Sequence, residues 1–149
     1  MVVTIRKPMK KINVTQIMIC AKEDLEKNYR RVNFKFKVND GNQAIVSAEF
    51  SVGGEEVCFL IEIFGSGEVF LRAIFNEVVI NEQSLDLLNT LNENHPFKIR
   101  IRVDGYLEAS QTVVVYDESG VGKYGSEFLS RLVKILEDGN MKKLLLMKR

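Results

Sequence analysis

The sequence predicts a single α+β domain, in which an antiparallel sheet of about six strands, a meander plus a hairpin, is flanked by two or three helices. Three observations support this fold class. Short segments of alternating apolar and polar residues succeed one another through the middle of the chain. Turns that contain glycine separate these segments, and amphipathic segments of helical period follow them. Strands joined by tight turns, with helices set apart from them, are typical of α+β domains.

The overall composition predicts one globular domain, residues 1–149, because 46% of the residues are hydrophobic and 28% are charged. Lys and Arg number 21 against 20 Asp and Glu, so no long-range field attracts nucleic acid or acidic lipid. Residues 1–11 are basic and predict a loosely ordered lead-in rather than a signal peptide. No apolar run approaches the roughly 20 residues that span a bilayer. Cys20 and Cys58 lie in apolar runs and are predicted to be buried free thiols, so we expect a cytoplasmic protein.

The first element, residues 13–29, carries two competing patterns. Apolar side chains recur at helical spacing from Val14 to Leu25, and Asn13 is a suitable N-cap. The β-branched residues in and just before the same stretch favour a strand instead, namely Ile12, Val14, Thr15, Ile17 and Ile19. We favour the helix, and the strand remains an open alternative.

Four predicted strands follow as a meander, each separated from the next by a turn that contains glycine. Residues 32–38 and 44–52 alternate, with one apolar and one polar face. Residues 56–64 and 68–75 are apolar on both faces. The latter two strands are therefore expected to lie centrally in the sheet, sheltered on both faces by helices or by a second subunit.

A helix is predicted to begin after the N-cap Asn81 and to end by Asn94, because Pro96 disfavours α geometry at His95. Its apolar stripe consists of Leu85, Leu88 and Leu91, widened by Leu87. A fifth strand follows, and its inward residues are Phe97, Ile99, Ile101 and Val103. The chain then turns at Asp104-Gly105, and residues 106–116 return as the sixth strand.

The last predicted helix begins after a glycine-containing loop, with Ser126 as its N-cap and Gly139 as its C-cap. Its apolar stripe consists of Phe128, Leu129, Leu132, Val133 and Leu136. Residues 140–149 form a tail for which the sequence indicates no particular structure.

Two sequence features suggest an enzyme, namely a lone histidine and a loop that is similar to a nucleotide-binding P-loop. In both cases the surrounding residues favour a structural interpretation. The only histidine, His95, has no second histidine with which to bind a metal, so the end of a helix explains it better. The loop before the last helix matches the P-loop at Gly122-Lys123, but Asp117 replaces its first glycine and Tyr124 replaces its Ser or Thr. We therefore predict no catalytic residue, no metal, no cofactor and no enzyme.

Basic residues on two predicted strands suggest an alternative function, that of a nucleic-acid-binding accessory protein. Lys35 and Lys37 share one side of the first strand, and Lys98, Arg100 and Arg102 share one side of the fifth. If these strands were neighbours, they would form a positive stripe for a single-stranded nucleic acid. The aromatic residues alternate toward the core instead of accompanying these cations, so a solvated face is the preferred interpretation.

The order of elements resembles that of the type III secretion chaperone-like superfamily, and within it the YbjN-like bacterial proteins. The resemblance rests on SLDLLNTLNENHPFKIRI, in which a helix with the pattern L-N-x-x-N (Leu88-Asn89 and Asn92) leads into a strand. It continues through DGYLEASQTVVV and the helix from Ser126, and covers most of residues 12–138. The resemblance implies a homodimer without catalysis and with a surface that holds segments of partner proteins. Such chaperones tend to be acidic, whereas this chain has a net charge of +1.

The predicted function is that of a non-catalytic protein-binding or chaperone-like domain, which is expected to be a homodimer. Under this hypothesis the protein binds neither a membrane nor nucleic acid. A sheet whose central strands are apolar on both sides needs more cover than two or three helices provide. The candidate partner-binding residues are the side chains of these strands that alternate with the core, namely Cys58, Leu60, Phe64, Phe70 and Ile74.

Overall fold

A computed structural model describes residues 13–39, 42–116 and 121–147, and it shows the predicted α+β fold. The lead-in predicted for residues 1–11 lies outside the described residues. The elements, in chain order, are α1 (Val14–Asn28), β1 (Lys35–Asn39), β2 (Gln43–Val52), β3 (Glu55–Phe64), β4 (Glu68–Glu77), α2 (Glu82–Asn94), β5 (Lys98–Ile101), β6 (Tyr106–Val114), α3 (Val121–Glu137) and α4 (Gly139–Leu145).

The six strands form one antiparallel sheet in the order β1-β2-β3-β4-β6-β5. The meander occupies the first four positions, and the hairpin joins it through its second strand, so that β5 lies at the edge. As predicted, β3 and β4 are the central strands. Glycines with positive φ make the tight turns between strands, at Gly54 (83°), Gly67 (93°) and Gly105 (88°).

One face of the sheet is covered by the helical layer. The side chains of Phe59, Ile61 and Leu71 on this face are fully buried. Helices α1 and α3 pack on the strands, α2 packs against β5, and α4 packs against α2 and α3. Within the described residues no helix lies on the opposite face, which we call the open face. The central strands were predicted to be sheltered on both faces. This is confirmed for the face under the helical layer, whereas no described helix covers the open face.

Helix α1 confirms the helical interpretation of residues 13–29. The side chain of Asn13 accepts a hydrogen bond from the backbone N–H of Gln16 at 3.1 Å, which caps the first turn. The residues at helical spacing, Val14, Ile17, Ala21 and Leu25, are all buried. The burial of this stripe outweighs the β propensity of the branched residues, because tertiary packing supplies most of the stability of a helix.

Several predicted strand boundaries differ from the structure, in which β6, for example, ends at Val114 rather than at residue 116. Two of the differences concern apolar residues. Strand β1 begins at Lys35 rather than at Val32, although Phe34 still reaches the core and meets Phe59 edge to face, with ring centroids 6.4 Å apart. Val103 does not point inward, because β5 ends at Ile101 and Val103 is fully exposed in the turn. In both cases the apolar alternation continues in the sequence beyond the residues that pair in the sheet.

Helix α2 has the predicted N-cap and end, but its buried stripe differs by one residue. Leu85 is 45% exposed, and Ser84 is buried in its place. Ser84 and Asn81 form a reciprocal capping box, in which each side chain accepts a hydrogen bond at 2.8 Å from the backbone N–H of the other residue. The hydroxyl of Ser84 also donates to the carbonyl of Asn81, so its buried position leaves no polar group without a partner.

The start of α3 contradicts the sequence prediction, because Val121–Gly125 is helical and Ser126 lies inside the helix instead of capping it. Gly122 and Gly125 are buried against α1 and the sheet. A Cβ atom at Gly122 would overlap the side chain of Asp24, and one at Gly125 would lie 3.2 Å from Ile61. These glycines therefore permit a close approach of α3 to α1. The sequence alone had suggested that the segment containing them is a loop.

The predicted C-cap was also wrong, because Gly139 begins α4 and Asp138 is the N-cap between the two helices. An oxygen of Asp138 accepts a hydrogen bond from the N–H of Asn140 at 2.8 Å. Most of the tail of undefined form is thus helix α4, which buries Met141, Leu144 and Leu145. In α3, Val133 is 39% exposed whereas Ile135 is buried, so the real stripe is shifted toward Ile135.

Candidate protein-binding face

Both sets of candidate residues from the sequence lie on the open face, because the register of the strands places them on one side of the sheet. The face consists of the strand side chains that alternate with the buried core. Its main residues are Ile45, Ser47, Glu49 and Ser51 on β2, Glu56, Cys58, Leu60, Glu62 and Phe64 on β3, Glu68, Phe70, Arg72 and Ile74 on β4, Tyr106, Glu108, Ser110, Thr112 and Val114 on β6, and Lys35, Lys37, Lys98 and Arg100 on the edge strands, with Arg102 just beyond β5.

The centre of the open face is apolar. The five candidate partner-binding side chains lie on its two central strands and are half-buried by one another and by their neighbours, namely Cys58, Leu60, Phe64, Phe70 and Ile74. Phe64 and Phe70 meet edge to face, with ring centroids 5.4 Å apart. Such aromatic pairs gain energy beyond the area they bury. The pair thus holds two large apolar side chains together on a side of the sheet that no described helix covers.

Charged side chains within the open face are joined in ion pairs. Arg72 lies 2.6 Å from Glu62 on the neighbouring strand, and the pair lies among the apolar side chains, with Arg72 opposite Leu60 and Glu62 opposite Phe70. Glu108 is buried beneath Arg100, which donates to it at 3.1 Å, and Arg102 lies 3.9 Å away. Buried carboxylates require such partners, since an unpaired one is costly. These pairs fix several of the long side chains in place.

The two basic strands lie at opposite edges of the sheet, so the positive stripe that would follow from their being neighbours does not form. Five inter-strand spacings separate β1 from β5, about 24 Å at about 4.8 Å each. Lys35 and Lys37 thus lie far from Lys98, and the apolar centre with its acidic residues lies between them. The condition on which the nucleic-acid alternative depended is therefore not met.

Among the described residues, three shallow depressions of about 250 to 320 Å³ each lie on the open face. Two of them adjoin at Glu49 and Cys58 and also include Glu56, Ile74 and Tyr106. The third lies toward the opposite corner and contains three cations and one carboxylate, namely Arg72, Lys98, Arg100 and Glu108. The face is therefore uneven in shape and in sign of charge.

The thiol of Cys58 lies at the meeting point of two of these depressions. Burial raises the pKa of the Cys58 thiol, and the neighbouring carboxylate of Glu49 raises it further, whereas Arg102 acts in the opposite direction. A protonated thiol is a poor nucleophile, so its surroundings do not activate Cys58. Cys58 and Cys20 are both free, as predicted, but each is half-buried instead of fully buried.

His95 lies in the helical layer, away from the open face, and the structure confirms that α2 ends there. Its Nε2 atom lies 2.8 Å from an oxygen of Asp138, the N-cap of α4. The hydrogen bond from His95 lowers the pKa of Asp138, although partial burial acts in the other direction. This contact connects the end of α2 to the start of α4.

The structure describes the part of the predicted P-loop from residue 121 onward, and that part does not support the interpretation. Gly122 is inside α3 and packs against α1, where a Cβ atom would overlap the side chain of Asp24. Lys123 is exposed on the helix surface, 4.0 Å from Glu127. Asp117 lies outside the described residues. Among the residues of ranges 13–39, 42–116 and 121–147, no three His, Cys, Asp or Glu side chains cluster as a metal site would require.

The apolar residues and the edge cations of the open face were among the candidate residues from the sequence, whereas its inner charged residues were not, namely Glu49, Glu56, Glu62, Arg72 and Glu108. The signal was present for Glu56, Glu62 and Arg72, because residues at even spacing from Cys58 or Ile74 in the same strand must share their face.

No protein-family model matches this chain, and no curated protein sequence is significantly similar to it. In the part of the chain that the structure describes, no helix has the length and apolar character needed to cross a membrane.

Proposed function

We propose that this chain is a non-catalytic, protein-binding domain with a chaperone-like capacity to hold another polypeptide, and that the open face is its binding surface. A single observation carries the proposal. The two central strands present apolar side chains, including the paired Phe64 and Phe70, on a side of the sheet that no described helix covers. Contiguous apolar surface of this kind, with a polar rim, is characteristic of protein-binding sites.

The architecture of the face supports protein as the ligand. Its apolar centre lies between charged margins, and the charges nearest the centre are fixed in ion pairs, such as Arg72 with Glu62. Protein interfaces commonly combine an apolar centre with a polar rim and with complementary charges that determine specificity. The resemblance of the stretch from Ser84 to Ile101 to secretion chaperone-like proteins favours the same proposal. The two free cysteines favour a cytoplasmic location.

The charge balance of the face argues against nucleic acid as the ligand. Its six cations, Lys35, Lys37, Arg72, Lys98, Arg100 and Arg102, are nearly balanced by five carboxylates, Glu49, Glu56, Glu62, Glu68 and Glu108. Nucleic-acid affinity depends on cations that displace counterions from phosphates, and here the carboxylates oppose that effect. In addition, Phe64 and Phe70 pack on each other, so that each ring is partly occupied before a base could stack on it.

Site-specific photo-cross-linking tests the proposal directly. A photoreactive phenylalanine derivative replaces Leu60, in the centre of the open face, and in a matched control it replaces Glu93, an exposed residue of α2. After illumination in cells, the Leu60 position is expected to give covalent adducts with protein, and the Glu93 position is not. Adducts with nucleic acid alone, or equal yields at both positions, would show that the proposal is wrong.

A further inference from the structure

We propose that the protein that covers the open face is a second copy of this chain, related to the first by a two-fold axis that crosses the face diagonally near Leu60 and Ile74. The inference rests on the proposed function, since it names the occupant of the same face. Three features of the face support it: its area, the diagonal distribution of its charges, and the residues that lie on the diagonal.

The area of the open face matches what a stable interface requires. Four strands of nine or ten residues are each about 30 Å long, and the two edge strands are about half that length. At about 4.8 Å per strand, the face covers on the order of 800 Å². A standard protein interface buries about 800 Å² on each partner, so one copy has enough surface without contributions from other regions.

The charges of the face are separated along a diagonal. At one corner, the two adjoining depressions contain the carboxylates of Glu49 and Glu56, with Lys35 at their margin. Toward the opposite corner, the third depression contains Arg72, Lys98 and Arg100 against the single carboxylate of Glu108. One corner is thus net negative and the other net positive, which is the distribution that lets a surface complement itself after a two-fold rotation.

The strand register determines which residues would face each other in such a pair. Glu49, Cys58, Ile74 and Glu108 lie in one row across the sheet, and Ser47, Leu60, Arg72 and Ser110 lie in the next. An axis inclined by about 40° to the strands, through the neighbourhood of Leu60 and Ile74, exchanges the acidic and basic corners. It places each of these two apolar residues close to its own equivalent in the second copy, at the centre of the interface.

The same rotation matches further parts of the face. It brings the edge residue Lys35 over the region of Glu62, and Phe70 toward the depression beside Ser47 and Glu49. The strands of the two copies would cross at about 80°, close to the orthogonal class of sheet packing. Opposite charges and a large apolar side chain therefore find partners without any rearrangement of the backbone.

The aligned alternative is electrostatically unfavourable. A two-fold axis parallel to the strands would place β1 over β5 and β2 over β6, with residues of the same row opposite each other. Lys35 would then face Lys98, and Glu49 would face Glu108, whose charge Arg100 and Arg102 offset only in part. Like charges held opposite each other in an interface cost several kcal/mol, which disfavours this arrangement. The diagonal axis avoids both repulsions.

Charge reversal with exchange of partners tests the diagonal arrangement. One variant carries Glu49→Lys with Glu56→Lys, so that both of its corners are positive, and the other carries Lys98→Glu with Thr112→Glu, so that its basic corner becomes negative. Analytical ultracentrifugation of the purified full chain is expected to show a wild-type dimer. For each variant alone the dissociation constant is expected to rise about tenfold or more. An equimolar mixture is expected to recover the wild-type affinity, because each contact then joins opposite charges.

The matched controls reverse charges on the helical surface, at Glu93→Lys and Lys134→Glu, and are expected to leave the dissociation constant unchanged. A wild-type chain that is monomeric at all accessible concentrations overturns the inference. Variants that dimerise as well as the wild type overturn it too, as does a mixture of two folded variants that recovers no affinity. Circular dichroism of each variant establishes that it is folded.

A second measurement keeps the inference testable if a variant fails to fold. The purified full chain, with the photoreactive residue at position 60 as its only substitution, is expected to form a covalent dimer after illumination. The adduct is expected on β3 or β4 of the second copy. If position 60 in cells gives adducts only with other proteins and the purified chain is monomeric, the second-copy inference is wrong while the proposed function stands. If position 60 gives no protein adduct in cells or in the purified chain, both are wrong.

Discussion

The side chain of Asn92 closes the outer edge of β5, and its replacement by alanine should destabilise the fold measurably. Its Nδ2 group donates to the carbonyl of Ile99 at 2.7 Å, and its Oδ1 atom accepts from the N–H of Ile99, also at 2.7 Å. Each such hydrogen bond contributes about 1 kcal/mol net. Alanine has a higher helix propensity than asparagine by about 0.5 kcal/mol. We therefore expect Asn92→Ala to lower the free energy of unfolding by roughly 1.5 kcal/mol.

Urea denaturation, followed by circular dichroism, measures this change, and Asn89→Ala provides a matched control. Asn89 is an exposed residue of the same helix, so its replacement tests helix propensity alone and should be neutral or slightly stabilising. If Asn92→Ala costs no more than Asn89→Ala, the reasoning that the β5 edge depends on this amide is refuted. A large change in the slope of the denaturation curve would instead indicate that the unfolded or native state itself had altered.

Three further predictions concern the helical layer and the thiol of the open face. Because the hydrogen bond from His95 lowers the pKa of Asp138 in the folded state, the stabilisation is present above the ordinary carboxyl pKa and is lost as pH falls through the lowered value. Urea titrations should therefore show that His95→Ala lowers the free energy of unfolding at neutral pH, and that the difference from the wild type shrinks below about pH 4. A difference in the free energy of unfolding that persists unchanged at pH 2 contradicts this prediction. Gly122→Ala should lower the free energy of unfolding by about 1–3 kcal/mol, because the new Cβ atom would overlap the side chain of Asp24 on α1. The control Gly139→Ala should not, because no atom lies within 4 Å of a Cβ atom at that position. Equal effects of the two substitutions in thermal denaturation would exclude the close-packing explanation. The thiol of Cys58, whose pKa is raised, should react with a disulfide reagent more slowly at pH 8 than a free cysteine does, and a rate equal to that of free cysteine would contradict the raised pKa.

The sheet was predictable from the sequence because its information is local. The alternation in β2, the two-sided apolar character of β3 and β4 and the glycine turns each require only neighbouring residues to interpret. The centrality of β3 and β4 also followed, since only inner strands tolerate apolar residues on both faces. The insertion of β6 between β4 and β5 did not follow, because no local pattern states which strand of a hairpin meets the meander.

The errors occurred where packing between distant segments decides the structure. Gly122 and Gly125 have the composition of a loop, but they are helical because α3 approaches α1 closely at these positions. Leu85 fits the apolar period of α2, yet the capping box turns the buried side of the first turn toward Ser84. The inner charges of the open face were overlooked for a similar reason, since the ion pair between Arg72 and Glu62 becomes visible only when their strands are placed side by side.

The amide of Asn92 has a consequence for the kinds of assembly open to this protein. Sheets polymerise into fibres when an edge strand presents free backbone groups to the next molecule. At β5 the N–H and carbonyl of Ile99 are already bonded within the chain, and at the other margin β1 has only five residues and carries Lys35 and Lys37. Growth by addition of strands is thereby discouraged at both margins, whereas the proposed pairing through the open face would end with two copies.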